Sequence, residues 1–145
     1  MYSNILVPID GSKCSIQAAV RAVDIAEKYN GTVTLLHVIN PSQLTGLGPM
    51  QDPPLITEHM VASLNEAGYA IINKTIGEIG ATPVEIATEV VWGSPDRVIL
   101  AQVAEKPFDL VVMGSRGLGA ISGLFLGSVS DRVVHRAPCP VLIVK

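Results

Sequence analysis

A chain of 145 residues is long enough for one ordinary domain with a real core. Apolar residues make up 48% of it and aromatic residues only 4%, so that core has to be aliphatic, built from Val, Ile, Leu and Ala. The net charge of −3 favours no nucleic-acid backbone, although backbone N–H groups can still bind an anion without net positive charge.

Asn4 to Ile9 reads as a short buried strand. Asp10-Gly11-Ser12 makes a turn, and Ser12 can cap a helix running to about Tyr29, with Ile16, Ala19, Val20, Val23 and Ala26 on one face. Asn30-Gly31 supplies the left-handed residue that stops it. Thr32 to Val38 is apolar enough for a strand covered on both faces. Asn40 to Pro54, with four prolines and two glycines, reads as a long loop and a candidate lid. A helix is expected from about Leu55 to Ile79, with Val61, Leu64, Gly68, Ile71, Ile72 and Ile79 inward and Gly80 ending it. Thr82 to Val91 alternates like a strand with one wetter face. Ser94-Pro95-Asp96 predicts a helix start, with serine as cap, proline at the first position and aspartate at the positive end; the helix runs to Lys106 before Pro107. Leu110 to Met113 is a buried strand, Ser128 to Arg136 a short helix, and Val141 to Val144 a last strand.

Strands and helices therefore alternate from end to end. That pattern implies one α/β domain over residues 1–145, with a parallel sheet and helices on both faces. No stretch approaches the roughly 20 apolar residues that span a bilayer. The opening MYSNILVPID lacks a signal peptide's positive start, so a cytoplasmic protein without membrane insertion is expected.

The connection from Gly114 to Gly127 holds five glycines and far exceeds the roughly 2–6 residues such a unit needs. Glycine reaches positive φ and lets a ligand approach the backbone, and successive N–H groups can form an anion nest. Gly127-Ser128 then opens a helix, whose N-terminus presents unpaired N–H groups and a positive dipole end. Ser128 and Ser130 add hydroxyls there, and Arg116 is the loop's one cation. The P-loop pattern G-x-x-x-x-G-K-[ST] is absent, and Gly117-Leu118-Gly119 fails the dinucleotide pattern at Ser122. A merely flexible connection is the plainer reading of the same glycines.

Gly114-x2-Gly117-x9-Gly127-Ser128 resembles the glycine signature of the ATP-binding universal stress proteins. Ile5-Leu6-Val7-Pro8-Ile9-Asp10-Gly11-Ser12 and Ala137-Pro138-Cys139-Pro140-Val141-Leu142-Ile143-Val144 are similar to that family's opening and close, so the resemblance covers essentially the whole chain. It implies a Rossmann-like open sheet of five parallel strands in the order 3-2-1-4-5. It also implies ATP as ligand, with Mg²⁺ beside it. By position, Gly114, Arg116, Gly117, Gly127, Ser128, Val129 and Ser130 would hold phosphates and ribose. Pro8, Ile9 and Asp10 would line the ribose and adenine side, Val38 would contact the adenine, and Met113 would also be among the ATP-binding residues. Asp10 would accept from a ribose hydroxyl or help place the divalent ion; an Asp-Gly turn alone also accounts for it.

The remaining chemistry-bearing residues have structural readings. His37 is expected as a satisfied near-core histidine, His59 as exposed, His135 as a cation near a helix C-terminus, and Trp92 as packing. Cys14 and Cys139 are expected as buried or half-buried thiols, and no three residues suggest a metal site. Val141–Val144 would be an apolar edge strand, which predicts a homodimer pairing these edges. The function expected is a nucleotide-dependent regulatory or stress-response module, with an unidentified protein partner. The competing readings are a slow ATP hydrolase or phosphotransferase, for which the loop lacks both carboxylate and lysine, and a nucleotide-independent dimeric scaffold.

Overall fold

The sheet is built outward from the first strand. In the computed structural model, which describes residues 1–42, 57–118 and 126–145, five strands alternate with four helices. The elements in order are β1 (Asn4–Pro8), α1 (Lys13–Tyr29), β2 (Thr32–Ile39), α2 (Glu58–Ile79), β3 (Ile86–Trp92), α3 (Pro95–Glu105), β4 (Leu110–Gly114), α4 (Ser128–Arg136) and β5 (Val141–Val144). All paired strands are parallel, in the order β3-β2-β1-β4-β5, as the alternation and the resemblance imply. No helix among the described residues is long and apolar enough to cross a membrane.

Strand alternation divides the core into two layers. Ile5, Val7 and Ile9 face one side of β1, where they pack with Leu35, Ile72, Val112 and the alanines of α1. Leu6 faces the other side, with Leu36, Ile99, Val111, Met113 and Val133. Ala18, Ala19, Ala22 and Ala26 are completely buried, and their small side chains let α1 lie close against β1 and β4. At the amino end of the sheet, the Asp109 carboxylate accepts from the Ser3 and Asn4 N–H groups at 2.8 and 3.2 Å.

Local signals decide most element ends. Ser12 Oγ accepts from the Ser15 N–H at 3.2 Å, and Asn30, at φ 52°, is the left-handed residue closing α1. Three expectations need correction. α2 begins at Glu58 rather than at about Leu55, capped by Thr57, whose hydroxyl accepts from the Met60 N–H. β3 begins at Ile86, not Thr82, because Thr82 Oγ1 takes the Val84 N–H in a turn and Pro83 has no N–H to give a ladder. Ser94 occupies the N-cap position of α3, but its hydroxyl donates to Asp96 and caps nothing. Most of the expected Asn40–Pro54 loop lies outside the described residues.

Candidate functional site

The strand order reverses between β1 and β4, which neighbour each other through Ile5–Leu110 and Leu6–Val111. Their carboxyl ends open on the crevice where ligands of open α/β sheets bind. Two segments leave the sheet there: Ile9-Asp10, following Pro8 at the end of β1, and Ser115-Arg116-Gly117-Leu118 after β4.

The long connection is closed at its root. The Ser115 N–H donates to the Val144 carbonyl at 2.8 Å, which seats the loop on β5. The Ser115 carbonyl then accepts twice, from the Gly127 N–H at 2.7 Å and from Ser130 Oγ at 2.9 Å. Ser130 is almost fully buried, and its hydroxyl also reaches the Gly127 carbonyl at 3.0 Å. Ser130 therefore holds the loop's two ends together. Gly127 is the N-cap of α4, and among the described residues no side chain caps that helix. Its leading N–H groups remain available to an anion, with the exposed Ser128 hydroxyl beside them.

Two of the loop glycines make room for protein groups, and positive φ, one of the two uses expected of them, is not found in the described ones. None of Gly114, Gly117 and Gly127 has positive φ. Gly114 admits α1: a Cβ there would lie 2.8 Å from the Cys14 Cβ and 3.0 Å from the Cys14 backbone carbon. Gly117 admits Asp10, whose Oδ2 would be 2.6 Å from its Cβ. Of the three, Gly127 alone has open enough surroundings for a side chain, with nothing among the described residues nearer than 3.5 Å. Gly119 and Gly123 lie outside the described residues.

The other expected residues fall as follows. Arg116 is exposed, Val129 and Pro8 half-buried, and Ile9 buried in the α1 layer. Val38 is half-buried at the far end of β2. The Met113 side chain belongs to the core beneath α3 and α4, which leaves only its backbone at the crevice. The Asp10 carboxylate accepts from the Ser12 N–H at 2.9 Å and from the Leu118 N–H at 3.0 Å. Among the described residues no three His, Cys, Asp or Glu side chains gather to hold a metal ion. Asp10 is the one carboxylate in the two segments at the crevice, so it is the residue that would face a divalent ion held by a ligand's phosphates.

One contact that orients α4 was not foreseen. The buried Asp96, in the first turn of α3, accepts from Ser94 Oγ at 2.7 Å and from the Arg132 guanidinium of α4 at 3.2 Å. The Ser94 hydroxyl holds the Asp96 carboxyl below the usual carboxylate range; burial opposes it, and the Arg97 N–H and Arg132 add to it. A carboxyl depressed in the folded state stabilises above its unfolded value of about 3.9 and loses that contribution as pH falls through the folded value. Asp96→Asn should therefore cost about 1 kcal/mol at pH 7 and progressively less below about pH 4. Urea unfolding of both proteins at pH 7 and pH 3 measures it. An equal gap at both pH values would rule this out.

Two of the three histidines lie against backbone carbonyls. The His37 Nδ1–H donates to the Ile9 carbonyl at 2.9 Å, the satisfied role expected of it. His59 is exposed, and His135 lies in the last turn of α4 with its Nδ1 2.8 Å from the Asp131 carbonyl. Trp92 donates to Asn65 Oδ1 at 2.9 Å, tying β3 to α2. Both cysteines are free and half-buried, and burial pushes the Cys139 thiol up.

Comparison with known proteins agrees with this architecture. The Usp family model, the Universal stress protein family, matches residues 1–145. A universal stress protein of Methanocaldococcus jannaschii is 35% identical over 145 residues, covering 100% of this chain and 83% of its own. The structure of the universal stress protein UspA from Lactobacillus plantarum superposes with a TM-score of 0.80 at 26% identity, covering 99% of this chain and 98% of that one. A crystal structure of a universal stress protein in complex with cAMP superposes with a TM-score of 0.71 at 29% identity, covering 99% and 97%.

Proposed function

The chain belongs to the universal stress protein family, and from that premise we propose that it holds ATP, with Mg²⁺ on the phosphates, as a nucleotide-dependent regulatory or stress-response module. The observation that carries this reading is the N-terminus of α4, which no side chain among the described residues caps, beside the β1–β4 crevice and tied to the loop's start through Ser115 and Ser130. A helix end contributes only about 0.3–2 kcal/mol toward an anion, whereas micromolar affinity needs about 8. The phosphates would therefore draw on several N–H groups, the Ser128 hydroxyl and Arg116, while the base is covered beside Ile9 and Val38. The related structure with cAMP supports an adenine nucleotide as the class of ligand. Melting of nucleotide-stripped protein with and without ATP and Mg²⁺ tests the reading.

Assembly follows from the sheet edge. β5 is an outer strand, with Leu142 40% exposed on it and Val134 40% exposed on the neighbouring α4. Pairing two β5 edges across a two-fold axis would cover both and remove an unpaired apolar edge. Sedimentation at micromolar concentration should give a dimer; a monomer would contradict this.

A further inference from the structure

We propose that Asp10 is a positioning residue: its carboxylate fixes the start of the glycine loop through the Leu118 N–H, and Gly117 lacks a side chain because that carboxylate occupies the space. The ligand part of this inference rests on the nucleotide-binding reading above; the contact does not.

Asp10 and Leu118 are 108 residues apart and meet only because β1 and β4 are neighbours. Each carboxylate oxygen serves one backbone donor. Oδ1 takes the Ser12 N–H at 2.9 Å, which forms the turn into α1, and Oδ2 takes the Leu118 N–H at 3.0 Å. The residue is itself held in place. Its N–H reaches Ser15 Oγ at 3.4 Å, and the buried Ser15 donates that hydroxyl to the Ser12 carbonyl at 2.9 Å. The clamp thus runs from a rigid helix start to the loop. Only a carboxylate supplies two acceptor oxygens in this shape; an amide supplies one and turns a donor toward the other N–H.

Gly117 is the matching half. It lies outside the left-handed region, so its backbone does not demand glycine. A Cβ there would stand 2.6 Å from Asp10 Oδ2 and 3.8 Å from Cγ, which forces the carboxylate away from Leu118. The sign of the charge separates this role from direct contact. A carboxylate facing phosphates repels them, so removing its charge should tighten phosphate binding; a carboxylate that shapes the loop makes the same substitution weaken it.

Inorganic tripolyphosphate, which has no ribose or base, is the probe, titrated by calorimetry beside ATP, both without Mg²⁺ so that no bridging cation can mimic the loop effect, into wild type, Asp10→Asn and Gly117→Ala. Leu118 amide exchange is followed by NMR without ligand. Both variants should bind tripolyphosphate about tenfold more weakly, a change of about 1.4 kcal/mol, and exchange Leu118 about tenfold faster. Gly117→Ala leaves the Asp10–Ser12 turn in place, so a shared loss does not come from unfolding of the α1 start. Unchanged or tighter tripolyphosphate binding in either variant overturns the proposal. So does a loss confined to ATP in Asp10→Asn, which would assign the carboxylate to the ribose. If wild type binds neither ligand, the nucleotide reading fails by itself. Leu118 exchange then decides the clamp: faster in both variants upholds it, and unchanged in either removes it.

Discussion

Gly114→Ala should lower the melting temperature by about 5–10 °C, because one methyl group has no place to go. The added Cβ would lie 2.8 Å from the Cys14 Cβ, 3.0 Å from the Cys14 carbonyl carbon and 3.1 Å from the Ser15 N. Two of those atoms are backbone in the first turn of α1, so no rotamer change relieves the contact. The helix would have to lift from β4, against the packing of Ala18, Ala22 and Ala26 beneath it. Overpacking of this kind costs about 1–3 kcal/mol, and a domain of this size loses about 2–4 °C per kcal/mol. Displacing the start of α1 also moves Ser12 and Ser15, which hold Asp10. A melting temperature within 1 °C of wild type, read by circular dichroism, would show that α1 does not lie this close to β4.

Gly127→Glu should behave in the opposite way, leaving the fold and removing the ligand. Gly127 has φ −71° and ψ 164°, which any residue adopts, and among the described residues a Cβ would meet only ordinary contacts, with Ser115, Arg116 and Ser130. The unliganded protein should therefore melt within about 0.5 kcal/mol of wild type. The new carboxylate would sit at the positive end of α4 and compete for the N–H groups that a phosphate would use. ATP affinity measured by calorimetry should fall by at least about a hundredfold, or about 2.7 kcal/mol. Gly127→Ala is the control for bulk without charge and should bind within a few-fold of wild type. Equal affinity in Gly127→Glu would move the phosphates away from the α4 N-terminus.

What could be read from the sequence was what neighbouring residues decide among themselves. The Ser12 cap, the Asn30 stop, the Gly80 stop and the start of α4 at Ser128 all follow from local chemistry, and the structure has them. Alternation of apolar strands and amphipathic helices carried the architecture, and the family resemblance carried the strand order. Features set by distant partners were not legible. β3 pairs from Ile86, opposite Val33, although residues 82–85 continue the same alternation. The Asp96–Arg132 pair joins residues 36 apart, and Asp10 meets Leu118 only across the β1–β4 neighbourhood. For the same reason the sequence marked Gly114 and Gly117 as loop glycines without the cause that the structure supplies for each, Cys14 for one and Asp10 for the other. Ser115, whose carbonyl joins the two ends of the loop, carries no local signal at all.

The most direct measurement is the melting temperature of nucleotide-stripped protein titrated with ATP and Mg²⁺, with GTP as the control. A ligand at a hundred times its dissociation constant adds about 2.7 kcal/mol, which shifts a domain of this size by several degrees. A saturating rise with ATP, much smaller with GTP, is the predicted result. No rise at millimolar ATP would contradict nucleotide binding at the β1–β4 crevice and leave a dimeric scaffold as the function.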